Sequence, residues 1–173
     1  MLRLGARAPN FILPDAEGRD VVLEDFRGSW VLLFFYPADF TRVCTKEVCA
    51  FRDDYEQFRQ RNVRLVGINF QPPEKHKRFA ERHRLAFPLL WDRRKSICRR
   101  YGVLGLWGMY CKRAYYLVDP DGRIAYAHVE AFPFLKRSNE ELLAAIERCQ
   151  AEALARREGR RKKREEASEG GAA

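Results

Sequence analysis

Residues 36–49 hold the side chains whose types and spacing best suit nucleophilic chemistry. This segment reads Tyr-Pro-Ala-Asp-Phe-Thr-Arg-Val-Cys-Thr-Lys-Glu-Val-Cys, and it places Cys44 between an apolar run and an amphipathic stretch. Sites in open α/β sheets form at the carboxyl ends of strands. A thiol in the first turn of the next helix meets unpaired backbone N–H groups and the positive end of the helix dipole. Both stabilise a thiolate, the nucleophilic form of cysteine.

A helix terminus alone does not make such a thiol mostly ionised. A free cysteine is only a few per cent thiolate at neutral pH. To make the thiolate the dominant form, the pKa of the thiol must fall from about 8.5 to about 6, which requires roughly 3.4 kcal/mol of preferential stabilisation of the anion. A helix N-terminus supplies only about 1 kcal/mol of this. Another positive group must therefore lie beside the sulfur, and the spacing of charges along the chain does not identify it.

The chain has five cysteines, and the other four lie at positions 49, 98, 111 and 149. An odd number at scattered positions favours neither a secreted disulfide framework nor a zinc site built from two close ligand pairs. Cys149 shares the apolar stripe of the last predicted helix and is expected in the core. Cys98 lies beside the core-like Ile97, whereas Cys111 is two residues from Arg113. The histidines show no metal-ligand spacing with these cysteines, so no metal and no cofactor are predicted.

Apolar runs and amphipathic stretches along the chain predict a one-domain α/β fold. Residues 30–36 form a continuous apolar run, which is typical of a strand buried on both faces. The helical spacing of Val48, Phe51, Tyr55 and Phe58 predicts an amphipathic helix of about four turns, and residues 63–68 predict a second strand. This β-α-β unit implies parallel pairing. Later patterns predict, in order, a helix that residues 72–74 open and that runs to about residue 84, a short strand at 87–91, a short helix at 94–101, a hairpin of strands 114–118 and 123–129, and a helix opened by a capping box of Ser138 and Glu141.

The length and the hydropathy pattern limit the class of protein. A chain of 173 residues is enough for one domain with a hydrophobic core. No run approaches the eighteen or so apolar residues that a membrane span requires. The first residues lack the apolar stretch of a secretion signal. A cytoplasmic enzyme with no membrane association is therefore expected.

The net charge of +9 does not point to nucleic acid. Residues 151–173 hold seven basic and five acidic side chains, a net of +2, and the remaining +7 is spread over the first 150 residues. A diffuse positive field specifies no partner, so nucleic-acid binding is not expected. From residue 158 onward charge, glycine and alanine replace the apolar pattern. Residues 158–173 are predicted to be a charged, disordered tail after a domain of residues 1–157.

The pattern Pro37-x-x-x-Thr41-x-x-Cys44 resembles the signature of the peroxiredoxins, the alkyl hydroperoxide reductase and thiol-specific antioxidant superfamily. Glu47 and Arg113 also fall where that family has them. The likeness extends over residues 4–150. Residues 8–14 resemble the first segment of the family's sequences, and residues 101–103 and 113–122 resemble segments of its later half. It implies a thioredoxin-like fold, with a central mixed β-sheet flanked by helices.

The resemblance also implies a role for each of these residues. Cys44 is the peroxidatic cysteine, whose thiolate attacks the terminal oxygen of a hydroperoxide. Thr41 hydrogen-bonds the thiolate and the substrate oxygens, and Arg113 supplies the missing positive charge. Pro37 shields the reactive sulfur from solvent, and Glu47 positions the arginine.

Cys49 is the candidate resolving cysteine, as in the bacterioferritin-comigratory type. That type often has Pro-Gly before the nucleophile, where this chain has Arg42 and Val43. On an intact helix, Cα atoms five residues apart are about 8.7 Å apart, beyond the limit of about 7 Å for a disulfide. A Cys44–Cys49 bond therefore requires the first turns of the helix to unwind. Cys111, Cys98 or an external thiol stay open as alternatives.

The implied function is that of a thiol-dependent peroxidase, acting on hydrogen peroxide or organic hydroperoxides. The implied partners are the hydroperoxide and thioredoxin or a similar thiol reductant, for a monomer or homodimer. One alternative is a thioredoxin-fold thiol-disulfide oxidoreductase, but such proteins need Cys-x-x-Cys, which this sequence lacks. Another is a basic binding protein on a peroxiredoxin scaffold.

Overall fold

The computed structural model describes residues 2–169. Its helices and strands are, in chain order, β1 (Ile12–Pro14), β2 (Asp20–Val22), β3 (Trp30–Phe35), α1 (Arg42–Asp53), α2 (Tyr55–Gln60), β4 (Val63–Asn69), α3 (Pro73–His83), β5 (Leu89–Trp91), α4 (Ser96–Arg100), β6 (Ala114–Val118), β7 (Ile124–Val129) and α5 (Asn139–Glu169). Two 3-10 turns, Leu23–Phe26 and Leu106–Gly108, lie in the loops. Residues 2–139 form one compact unit, and residues 140–169 belong to a second.

The main sheet has five strands in the order β5-β4-β3-β6-β7. The pairs β3–β4 and β4–β5 are parallel, whereas β3–β6 and β6–β7 are antiparallel. Parallel pairing of the first two predicted strands and the hairpin of residues 114–129 are thereby confirmed, as is the mixed sheet. The hairpin turns at Gly122, whose φ of 74° lies in the left-handed region that favours glycine.

The central strand β3 is buried on both faces, as its continuous apolar run predicts. Successive side chains of a strand point to opposite faces. Phe34 packs on Phe51 of α1, whereas Phe35 packs on Tyr101 and Tyr116. Ile97 of α4 belongs to the same buried cluster as Phe35. The sheet is thus covered by helices on both faces.

The helix predicted over residues 48–58 is in fact two helices that meet at Asp54. The backbone of Asp54 has φ −95° and ψ 10°, outside the helical range. Its carboxylate accepts hydrogen bonds from the side chains of Gln57 and Asn139, each at 2.8 Å. The Asp54 N–H still donates to the Ala50 carbonyl at 3.0 Å, so α1 closes its last turn at this residue and α2 begins directly after it.

The sequence patterns missed the two-stranded antiparallel sheet of β1 and β2, because strands of three residues are too short to show periodicity. The last helix begins at Asn139, directly after Ser138, and continues to Glu169. No break in α5 marks residue 158, so the division into a domain and a tail stays a prediction. Residues 170–173 of that tail lie outside the described residues. Within residues 2–169, no helix is both long and apolar enough to cross a bilayer.

Candidate active site

Cys44 occupies the first turn of α1, where the sequence places it. Thr41 precedes the helix in an extended conformation (φ −78°, ψ 148°), and its carbonyl accepts the Thr45 N–H at 2.8 Å. The Cys44 side chain is only 1% exposed. The sulfur therefore lies near the positive end of the helix dipole and is shielded from bulk water.

Arg113 brings a buried positive charge to this sulfur. It directly precedes β6, and its carbonyl accepts the Glu130 N–H at 2.9 Å. Its Nη2 atom donates to Cys44 Sγ and to the carbonyl of Pro133, each at 3.2 Å. The side chain is fully buried, so its charge acts in a medium that screens it weakly. The structure thus brings together two residues that the sequence could join only through the resemblance.

Glu47 holds the arginine from the other side. Its Oε2 accepts from Arg113 Nη1, and its Oε1 accepts from the hydroxyl of Tyr115. Burial raises the pKa of Tyr115 above its ordinary value, so the phenol stays protonated and remains a donor. Tyr115 was not among the site residues predicted from the sequence. Alternation along β6 was the available signal, because residues 113 and 115 face the same side of a strand.

Thr41 and Pro37 lie in the loop between β3 and α1. The Thr41 hydroxyl donates its proton to the Ala38 carbonyl at 3.2 Å, and the residue is exposed. That proton is not available to the Cys44 sulfur in this arrangement. Pro37 is half-buried. The roles of both residues toward the sulfur stay predictions.

A buried polar network, which no sequence pattern predicted, anchors the same loop. Asp39 accepts from the Tyr36 hydroxyl at 2.6 Å, from His76 Nδ1 at 2.7 Å and from Asn69 Nδ2 at 3.4 Å. Its own N–H donates to Gln71 Oε1 at 2.6 Å. Burial, and then the charge of Asp39, raises the pKa of Tyr36, so the phenol stays a donor. The loop before α1 is therefore tied to β4 and α3.

Comparison with known proteins decides the family. The model of the AhpC/TSA family matches residues 4–127. The chain belongs to the AhpC/TSA family, the peroxiredoxins.

Relatives within the family indicate the branch. The chain is 39% identical over 139 residues to a chloroplastic peroxiredoxin Q of Gentiana triflora. The aligned region covers 80% of this chain and 64% of that protein. It thus spans slightly less than two thirds of that relative. Among solved structures, it is similar to peroxidoxin BcpB of Mycobacterium tuberculosis, with a TM-score of 0.77 and 32% identity over 85% of this chain and 97% of that one. The reduced 2-Cys peroxiredoxin of Plasmodium vivax gives a TM-score of 0.80 and 30% identity over 88% of this chain and 99% of that one. The thioredoxin-like fold and the bacterioferritin-comigratory type are thereby confirmed.

The candidate resolving cysteine of this peroxiredoxin, Cys49, lies on the same intact helix as Cys44. It is half-buried, and its Sγ lies 3.5 Å from Nδ1 of His83 on α3. Burial, and then the charges of Arg82 and Arg52, lowers the pKa of His83. Both cysteines are free thiols, so the structure corresponds to the reduced state.

The other three cysteines of this peroxiredoxin differ in their surroundings. Cys98 and Cys111 are fully buried, with their sulfur atoms 3.2 Å apart. Cys149 is half-buried, and burial raises its pKa. Among residues 2–169, no three histidine, cysteine or acidic side chains cluster closely enough to hold a metal ion.

Proposed function

We propose that the protein is a thiol-dependent peroxidase with Cys44 as its nucleophile. The observation that supports this most directly is the contact of 3.2 Å between Arg113 Nη2 and Cys44 Sγ at the start of α1. This contact places a guanidinium N–H where it can donate to the sulfur and to the charge that develops on a substrate oxygen during the attack.

In the first step, the Cys44 thiolate attacks the terminal oxygen of the hydroperoxide. A sulfur–oxygen bond forms, the oxygen–oxygen bond breaks, and the departing alkoxide or hydroxide takes up a proton to leave as alcohol or water. Cys44 becomes a sulfenic acid. The donors on Arg113 stabilise charge on the sulfur before the attack and on the departing oxygen during it.

The neighbouring residues position these groups. Glu47 accepts from Arg113 and from Tyr115, so both of its oxygens are engaged away from the sulfur. Thr41 is exposed beside the helix start, and a rotation of its hydroxyl away from the Ala38 carbonyl makes its proton available to substrate oxygen. Pro37 limits the access of water to the sulfenic acid.

In the second step, the Cys49 thiol attacks the Cys44 sulfenic acid, which releases water and forms a disulfide. A dithiol reductant such as thioredoxin then reduces this disulfide and is itself oxidised. Support for Cys49 comes from its place one and a half turns along the same helix and from its partial exposure. Mass mapping of the disulfide that forms after one equivalent of peroxide tests the assignment.

We also propose a cytoplasmic location and a monomeric or homodimeric state. An odd number of scattered cysteines suits a reducing compartment better than a secreted disulfide framework. The plant relative is named chloroplastic, so imaging of the tagged full-length chain in its native cell is the test. Sedimentation of the reduced and oxidised protein measures the oligomeric state.

The decisive experiment measures consumption of hydrogen peroxide and cumene hydroperoxide with a thioredoxin system. Cys44→Ser is expected to abolish turnover, whereas Cys149→Ser serves as a matched control and retains it. Deletion of residues 156–173 is expected to leave the rate unchanged, which rejects a binding protein whose basic tail carries the function. Full turnover by Cys44→Ser would overturn the proposal.

A further inference from the structure

Cys98 and Cys111 form a close pair of thiols that the proposed peroxidase cycle does not use. Their sulfur atoms are 3.2 Å apart, so that one thiol donates to the other, and neither side chain is exposed. They lie in the buried cluster that contains Phe35 and Tyr116, whereas α1 packs on the other face of the sheet. No residue of α1, the helix that carries Cys44, belongs to that cluster.

The backbone around the pair already holds the two cysteines in a fixed register. The Cys98 carbonyl accepts the Val103 N–H at 2.8 Å, and the Val103 carbonyl accepts the Lys112 N–H at 2.7 Å. Leu104 and Cys111 also form an isolated antiparallel bridge. The sulfur atoms need to approach by only about 1 Å to reach the S–S bond length of about 2.05 Å. Unlike a Cys44–Cys49 bond, this one requires no helix to unwind.

The surroundings of the pair make it slow to react. The hydrogen bond with Cys111 and burial raise the pKa of Cys98, and the nearby carboxylate of Asp92 adds to the effect. Asp92 is itself buried and accepts the backbone N–H groups of Ile97 and Cys98 at 2.9 and 2.8 Å. A neutral thiol is a weak nucleophile, so Cys98 does not compete with Cys44 for peroxide.

We propose that Cys98 and Cys111 are a second redox couple, which closes to an intramolecular disulfide when a hydroperoxide is in excess. One thiol is first oxidised by the hydroperoxide to a sulfenic acid, with release of alcohol or water. The other thiol then attacks that sulfur, the sulfenic acid oxygen leaves as water, and the S–S bond forms. The bond joins α4 to the residue two positions before Arg113, and it restricts the unfolded chain, which raises thermal stability.

The test uses the full chain with Cys44, Cys49 and Cys149 replaced by serine, so that only the pair remains. Its outcome is independent of any peroxidase activity. After treatment with excess hydrogen peroxide, the protein is expected to lose the mass of two hydrogen atoms and to yield a peptide cross-linked between positions 98 and 111. Its Tm is expected to rise by several degrees and to return after reduction with dithiothreitol.

Cys98→Ala in the same background is the matched control and is expected to show neither the cross-link nor the reversible Tm shift. The unmodified chain, treated with excess peroxide and mapped in the same way, guards against misfolding of the serine variants. The proposal would be overturned if peroxide oxidises these two cysteines in the urea-unfolded chain but leaves both of them as free, alkylatable thiols in the folded chain. A bond between two chains in place of the internal one would also overturn it.

Discussion

Arg113 Nη2 lies 3.2 Å from Cys44 Sγ, although 69 positions of sequence separate the two residues. The same guanidinium donates to Glu47, which sits one turn after Cys44 on α1. One buried arginine therefore contacts both the proposed nucleophile, Cys44, and the carboxylate of Glu47.

Replacement of Arg113 by lysine is expected to lower kcat/KM for hydrogen peroxide by about 10²–10³-fold. Lysine keeps the positive charge but lacks the planar guanidinium, whose two Nη atoms donate to Glu47 and to the Cys44 sulfur at the same time. Stopped-flow measurement of peroxide reduction checks this. The exposed Arg99→Lys on α4 is the control and is expected to react at the wild-type rate. A rate within threefold of wild type for Arg113→Lys would show that charge alone is sufficient.

Tyr115→Phe is expected to destabilise the protein by about 1–2 kcal/mol, because one buried oxygen of Glu47 loses its donor. It is also expected to lower the rate with peroxide several-fold, since Glu47 then holds Arg113 less rigidly. The matched control is Tyr116→Phe, whose hydroxyl donates to the Tyr101 carbonyl at 2.7 Å. That variant is expected to lose stability without losing rate. Equal rate losses in both would contradict a positioning role for Tyr115.

How far the sequence predicts this site depends on whether a residue acts through local or distant contacts. Cys44 and Glu47 share one helix, so their proximity follows from helical spacing. Arg113 could be assigned only through the resemblance, because spacing does not show which strand end meets α1. The Cys98–Cys111 pair depends on how residues 102–112 fold back on α4, which no periodic pattern encodes. The sheet was easier to predict, since the long buried run of β3 is a strong signal.

His76→Leu is expected to lower the free energy of unfolding by about 2–3 kcal/mol, because it removes a buried donor from the Asp39 carboxylate. Since Asp39 lies in the loop that leads into α1, the rate with peroxide is expected to fall as well. Adding Asp39→Asn to His76→Leu is expected to cost less than the sum of the two single changes. Urea unfolding measures all three variants. Strict additivity would show that the two side chains are not coupled.

His83 gives the stability a predictable dependence on pH. Burial and two nearby arginines lower its pKa below the ordinary value of 6.5, so the unfolded chain takes up a proton at a higher pH than the folded one. Stability from this group is complete above the unfolded pKa and declines as the pH falls toward the folded pKa. Between pH 7 and pH 5, Tm is therefore expected to fall less in His83→Gln than in wild type. An equal fall in Tm for the two proteins over this pH range would contradict the prediction.

Oxidation by one equivalent of peroxide is expected to speed amide hydrogen exchange in residues 41–52 by at least about 10-fold. On an intact helix, the Cα atoms of two residues five positions apart are about 8.7 Å apart, which is beyond the reach of a disulfide. Cys44 and Cys49 have this spacing on α1, so the start of that helix must unwind before they can bond. Exchange in β3 serves as the internal control and is expected to stay slow, because that strand is fully buried. Cys49→Ser is expected to remove the effect, since the sulfenic acid on Cys44 then forms no bond within the helix. If α1 exchanges equally slowly before and after oxidation, Cys49 is not the resolving residue, and an external thiol must complete the cycle.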